Sequence, residues 1–322
     1  MPVPFLERLE RARSRPILVD SATGTWFQEA VPGIGGECCE RFNLERPDLV
    51  RRLYREKVEA GSEIILTNTF NANPLRLREF GLEDHSEAFN EAGVRLLREV
   101  IDQADSPCFV GANIGPTGKL IGQTATYEEA VESFRRQARA LVRAGADLIC
   151  IETMLQALEG QAAVEAVKAV FVDEGVELPL SLTFAFMERA PGAAVYRTFF
   201  GDTVGQLLEG HEDLLAERRY DGALALGVAV VGLNCSVGVD DAIGITAEFA
   251  AVLRERGLER PLVAAKPNSR VMSTQRYETP EFVASRFEAL VGAGASLIGY
   301  CCGSVPAHIA RAAEERRRLF DG

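Results

Sequence analysis

Short apolar runs recur along this chain, and between them apolar residues return every three or four positions, the spacing of a helix with one buried face. The runs lie near 17–20, 63–67, 108–112, 147–152, 179–184, 228–234, 261–265 and 296–300, and each reads as a buried β-strand. The helix-like stretches are 47–60, 87–103, 127–144, 157–172, 202–218, 240–256, 280–292 and 305–319. Three junctions share one logic: Ala60-Gly61, Ala144-Gly145 and Ala293-Gly294 each end a helical pattern at a glycine and lead at once into a strand. Strands alternating with helices imply parallel pairing through crossover helices. Eight such units are the count of a (β/α)8 barrel. An open doubly wound sheet would also fit the alternation, but no Gly-x-Gly-x-x-Gly follows the first strand. With no linker and no low-complexity tract, residues 1–322 are expected to form a single barrel domain.

Chemistry-bearing residues fall at the strand ends. Asp20 closes the first run, Thr67-Asn68-Thr69 the second, Asn113 follows the third, and Glu152-Thr153 closes the fourth. Asn234-Cys235 closes the sixth, and Cys301-Cys302 follows the eighth. In a closed barrel all of these reach the C-terminal face, where active sites are built.

The cysteines carry the strongest chemical signal. By spacing alone, one cysteine and an adjacent pair 66 residues later are no structural zinc motif, and buried free cysteine is a common fate. Placement at two strand ends favours a metal instead, because Cys235, Cys301 and Cys302 would supply three soft ligands and leave a fourth position open. Cys108 and Cys150 lie inside apolar runs and are expected in the core, and Cys38-Cys39 sit in the long loop after the first strand. Asp20 and Glu152 either tie down their loops or face the pocket, where together they would bind a cation such as an amino group. The glycine-rich stretch from Gly111 to Lys119 is not a phosphate loop, since Asn113 stands where a glycine is needed and Leu120 follows the lysine. His85, His211 and His308 all fall in helical or helix-flanking text, so no Ser-His-Asp set is expected and His308 reads as a helix-face residue.

Composition narrows the class. A formal charge of −12 gives no basic footprint for nucleic acid. The longest uncharged apolar stretch, Ala223 to Leu233, is too short to span a bilayer, and the first fifteen residues lack the apolar core of a secretory signal. Seven cysteines without a disulfide-like framework point to reduced thiols and a cytoplasmic protein.

Several of these segments together resemble the homocysteine S-methyltransferase family, over nearly the whole chain. Asp20-Ser21-Ala22-Thr23-Gly24-Thr25 is similar to the family's Asp-Gly-Ala-x-Gly-Thr opening. Thr67-Asn68-Thr69-Phe70, Ile114-Gly115-Pro116-Thr117-Gly118, Ile151-Glu152-Thr153, Gly232-Leu233-Asn234-Cys235 and Cys301-Cys302-Gly303 also match. The resemblance implies a (β/α)8 barrel with Zn2+ held by Cys235, Cys301 and Cys302 and an acceptor thiol, homocysteine, at the open position. It implies that Asp20 and Glu152 bind the acceptor's amino group and that backbone N–H groups of Ser21, Ala22, Thr23 and Gly24 bind its carboxylate. Asn68 and Asn234 are expected in the same pocket. Two departures stand out. Ser21 replaces a glycine, and Tyr300 replaces the glycine before the cysteine pair, where it would be strained if φ were positive, or would reshape the thiol pocket. The methyl donor is left open among betaine, S-methylmethionine, S-adenosylmethionine and methylcobalamin, the last delivered by a separate corrinoid protein. A barrel that had lost catalysis and served as a binding subunit is the alternative of another class.

Overall fold

Among the described residues ten strands form in chain order: β1 (Ile17–Leu18), β2 (Ile64–Leu66), β3 (Phe109–Ile114), β4 (Leu148–Met154), β5 (Leu180–Phe184), β6 (His211–Asp213), β7 (Arg218–Tyr220), β8 (Val230–Asn234), β9 (Leu262–Lys266) and β10 (Ala295–Ile298). The computed structural model describes residues 5–321 except 191, 214 and 272. Eight strands make one sheet in the order β1-β10-β9-β8-β5-β4-β3-β2. All its pairings are parallel, and a bridge between Val19 and Ile64 joins the sheet's two ends into a barrel. The (β/α)8 expectation is met.

Side-chain alternation then sorts each strand into two layers. Ile17, Ile64, Leu66, Leu148, Cys150, Val230, Leu262, Ala264 and Leu297 pack inside the barrel. Leu18, Ile65, Ile149, Ile151, Val231, Val263, Ala265 and Ile298 pack outward, against the helices. The N-terminal helix Phe5–Glu10 puts Phe5 and Leu9 into the inner cluster and plugs the end opposite the functional mouth. Glu63 fixes that plug: it receives Arg8 Nε at 2.7 Å, the Leu18 N–H at 3.2 Å and the Arg316 guanidinium, so the first and last helices share one carboxylate.

Two helical expectations are corrected. The stretch 202–218 holds only the helix Val204–Glu209, after which the chain turns at Gly210 (φ 91°) into an antiparallel hairpin of β6 and β7. A side chain at Gly210 would meet the Tyr220 carbonyl at 2.4 Å, so the turn demands glycine. The stretch 280–292 divides into Pro280–Ala284 and Phe287–Gly292. His308 is a helix residue as expected, and it lies on the buried face. It is fully buried in the first turn of the helix Pro306–Phe320, its Nδ1 lying 3.1 Å from the Val305 N and its Nε2 3.1 Å from the Glu278 carbonyl.

The backbone of β9 leaves no room for a side chain at Gly232 of β8. A Cβ on Gly232 would lie 2.0 Å from the Ala264 carbonyl oxygen, which belongs to a strand that cannot move without opening the barrel. Gly232→Ala is therefore expected to cost about 3 kcal/mol or more, or to abolish soluble expression, read as a fall in thermal midpoint against the unsubstituted protein.

Candidate metal centre

Three cysteines meet at the mouth of the barrel. The sulfurs of Cys235, Cys301 and Cys302 all lie within 4.8 Å of one another, and Cys235 Sγ is 3.5 Å from Cys302 Sγ. That is far beyond a disulfide bond. Three sulfurs about 2.3 Å from a tetrahedral ion would stand about 3.8 Å apart, so the cluster fits zinc with small adjustment. The outer coordination position is accessible, since Cys302 is exposed and Cys235 and Cys301 are partly so.

The loop after β9 holds both cysteine segments in place. Cys235 N–H donates to the Lys266 carbonyl (3.0 Å) and Cys301 N–H to the Pro267 carbonyl (2.7 Å). The Cys302 carbonyl accepts from the N–H groups of Ser269 (2.9 Å) and Arg270 (3.0 Å). Cys235 and Ser236 take left-handed backbone conformations (φ 65° and 68°), as does Thr153 at the end of β4 (φ 62°). Such conformations cost about 1–3 kcal/mol apiece in non-glycine residues, so the surrounding bonds must hold them. Asn234 does much of this. Its Oδ1 accepts from Thr153 N–H (2.7 Å) and Thr183 Oγ1 (2.7 Å), and its Nδ2 donates to Thr153 Oγ1 (2.6 Å) and points at Cys301 Sγ, 4.0 Å away.

The thiols are mutually dependent acids. Cys301 is pushed up first by its hydrogen bond with Cys235, with Cys302 opposing and burial adding to the rise. For Cys235, the bond with Cys301 lowers the value, but the bond with Cys302 and burial win and leave it at about 12. Without a cation the trio is protonated at neutral pH, and ligation must release those protons.

The other expected residues divide. Asp20 and Glu152 are buried at the mouth, yet each already has a cation. Asp20 Oδ2 accepts from Lys57 Nζ (2.6 Å) and from Leu66 N–H (3.0 Å), and Lys57 Nζ also donates to Thr23 Oγ1 (2.7 Å). Glu152 Oε1 accepts from Lys266 Nζ at 2.6 Å. Burial works against the Lys266 cation, but Glu152, Asp20 and Cys301 outweigh it and raise its pKa above the ordinary lysine range. Burial pulls Lys57 down, with Asp20 opposing. Of the four expected N–H groups, that of Ala22 is taken by Ser304 Oγ (3.0 Å), whereas those of Ser21, Thr23 and Gly24 meet no acceptor among the described residues. Those groups lie at or just before the start of the helix Thr23–Ala30.

Asn68 is tied to a neighbouring loop, and Tyr300 faces the helices. Asn68 spends its amide on the Cys39 carbonyl (2.9 Å) and Asn43 Oδ1 (3.0 Å), fastening the loop after β1. Tyr300 belongs to the outward layer, 1% exposed, with its ring 6.0 Å from that of His308. Alternation places it there, one residue before the inward Cys301, and its φ is not positive, so no strain arises. Cys38 and Cys39 are drawn into the same fastening loop. Burial raises both thiols, Cys39 to about 12, which makes them poor nucleophiles.

Sequence reasoning missed Lys57 and Lys266, though both left a signal. Lys57 stands in the buried stripe Val50, Leu53, Tyr54 of the helix Pro47–Glu59, where a lysine without a partner would be costly. Lys266 closes an apolar strand as Asp20 and Glu152 do.

The family model for homocysteine S-methyltransferase matches residues 17–316. The chain is 29% identical to a methionine synthase of Mycobacterium leprae (strain TN), over 98% of this chain and 25% of that protein. It is 30% identical to a methionine synthase of Mycobacterium tuberculosis, over 94% of this chain and 24% of that protein. It thus spans about a quarter of the length of these relatives. The homocysteine methyltransferase MmuM from Escherichia coli shares the fold: its oxidized form superposes with a TM-score of 0.70 at 21% identity, covering 97% of this chain and 99% of that one. Its metallated form gives 0.67, again at 21% identity, covering 96% and 98%. Among the described residues no helix is long and apolar enough to cross a membrane.

Gly303 adopts φ 85°, and a Cβ there would lie 2.5 Å from the Arg270 backbone nitrogen. Gly303→Ala is accordingly expected to push the Cys301-Cys302 turn off the loop after β9 and weaken zinc binding about tenfold or more, measured by chelator competition, with the far-ultraviolet spectrum unchanged.

Proposed function

The chain belongs to the homocysteine S-methyltransferase family, and on that premise we propose that it transfers a methyl group to a thiol, with zinc held by Cys235, Cys301 and Cys302. Homocysteine is the acceptor that the family's name carries. The observation that carries the reading is the convergence of three sulfurs from two strand ends within 4.8 Å, with an accessible side. Bound there, zinc would supply a Lewis acid that keeps an acceptor thiol deprotonated and nucleophilic at neutral pH. The chain's own contribution is placement. Asn234 and the loop after β9 hold the three sulfurs in a fixed triangle, so the acceptor's sulfur meets the donor from one direction. In the transfer the thiol proton passes to solvent and a sulfur–carbon bond forms. The bond from the methyl group to its donor breaks, and its electron pair stays with the donor. An electrophilic donor satisfies this balance, with the methyl group carried on a cationic sulfur or nitrogen or on a corrinoid. The likeness to methionine synthases supports a methyl-corrinoid supplied by a partner as one such donor.

Cys301→Ser removes one ligand while preserving size. It is expected to lower zinc content well below one per chain and to reduce methylation of homocysteine about a thousandfold across a panel of donors. Full zinc and full activity in that variant would contradict the proposal.

A further inference from the structure

Both carboxylates expected to receive an acceptor's amino group are already committed to buried lysines. Lys57, Asp20, Lys266 and Glu152 are 0%, 1%, 4% and 6% exposed. The two pairs are close enough for Glu152 to feel Asp20 and Lys57 as well as Lys266. Two carboxylates and two lysines therefore form a neutral group in a space largely closed to water. An ammonium entering that group finds both acids already paired with lysines and so gains less from either than it would from a free carboxylate. The second oxygen of each carboxylate has no donor among the described residues, but an ammonium placed there would also feel the lysine on the first oxygen, which weakens its attraction to the carboxylate.

An anionic group is treated differently. Lys266 Nζ donates only to Glu152 among the described residues, which leaves N–H capacity at a cation whose charge Cys301 also feels. The N–H groups of Ser21, Thr23 and Gly24 add further donors. Two residues beyond Lys266, the Asn268 side chain is fully buried with neither its oxygen nor its nitrogen bonded. Donors at the mouth thus remain unspent, while each of its acids is already paired with a lysine.

We propose that Lys266, with Lys57 behind it, is the specificity-determining residue of the acceptor site, and that the site takes thiol carboxylates without requiring an α-ammonium group. This rests on the methyl-transfer reading above and refines its substrate class. A homocysteine molecule still enters by its sulfur and carboxylate; its amino group contributes nothing to the choice.

The test uses the full chain with cobalt(II) in place of zinc and reads thiol entry from the sulfur-to-cobalt absorption band, so no donor is needed. L-Homocysteine, gamma-mercaptobutyrate (the same thiol without the amino group) and aminopropanethiol (the amine without the carboxylate) are titrated separately. Gamma-mercaptobutyrate is expected within about threefold of homocysteine, and aminopropanethiol weaker by about thirtyfold or more. Lys266→Met, which frees Glu152, should restore a preference for homocysteine over gamma-mercaptobutyrate of about tenfold. Homocysteine binding about thirtyfold or more tighter than gamma-mercaptobutyrate in the unsubstituted protein would overturn the inference while leaving thiol methylation intact. If none of the three thiols perturbed the cobalt band, the reading of the site would fall and the inference with it.

Discussion

Four backbone hydrogen bonds made by residues 266–270 hold the functional mouth together. They tie the segment after β8, which carries Cys235, to the segment after β10, which carries Cys301 and Cys302. The two segments are far apart in sequence and belong to strands that flank β9 without touching each other. Without the middle loop the sulfurs would have no common address. The close pass of Gly232 along Ala264 and of Gly303 against Arg270 are the two places where a missing side chain lets this clamp close. Free energy is spent here as well: Thr153, Cys235 and Ser236 take left-handed conformations, Thr153 held by Asn234 and Cys235 tied to the Lys266 carbonyl, and a framework pre-formed in this way can present three sulfurs to an ion with little further ordering.

Alternation along a parallel strand governs what else reaches the mouth. The parity that puts Leu148 and Cys150 inside continues to Glu152, and that of Leu262 and Ala264 continues to Lys266. The same rule turns Tyr300 outward, to the helices. The mouth of the barrel is therefore shaped less by the tyrosine that departs from the family pattern than by the lysine opposite Glu152. A buried ion pair adds little stability by itself. Its effect here is on charge: it cancels the negative field that an amino group would seek.

Much of the barrel was legible because its pattern is strong. Buried parallel strands read as continuous apolar runs, and their helices end at glycines, so all eight strands and the barrel were expected and found. The hairpin of β6 and β7 was not expected, because 202–218 keeps a helical apolar spacing and its turn depends on Gly210, whose need for a positive φ is settled by the distant Tyr220 carbonyl. The cysteine triad was legible from strand-end placement and the family motifs together. Lys57 and Lys266 stand out as lysines in apolar text, but which acid each one meets, across 37 or 114 residues, is set only by the fold. Asn68 carried the motif's identity and yet serves the loop beside it, a distinction only hydrogen bonds reveal.

The central claim is that three sulfurs from two strands form a zinc site with room for a thiol. Metal analysis with X-ray absorption at the zinc edge, before and after adding homocysteine, tests it most directly. The account predicts one zinc per chain with three sulfur neighbours, rising to four when the thiol is added. A carefully reduced protein that binds no zinc, or zinc whose sulfur count does not change with any thiol, would contradict it.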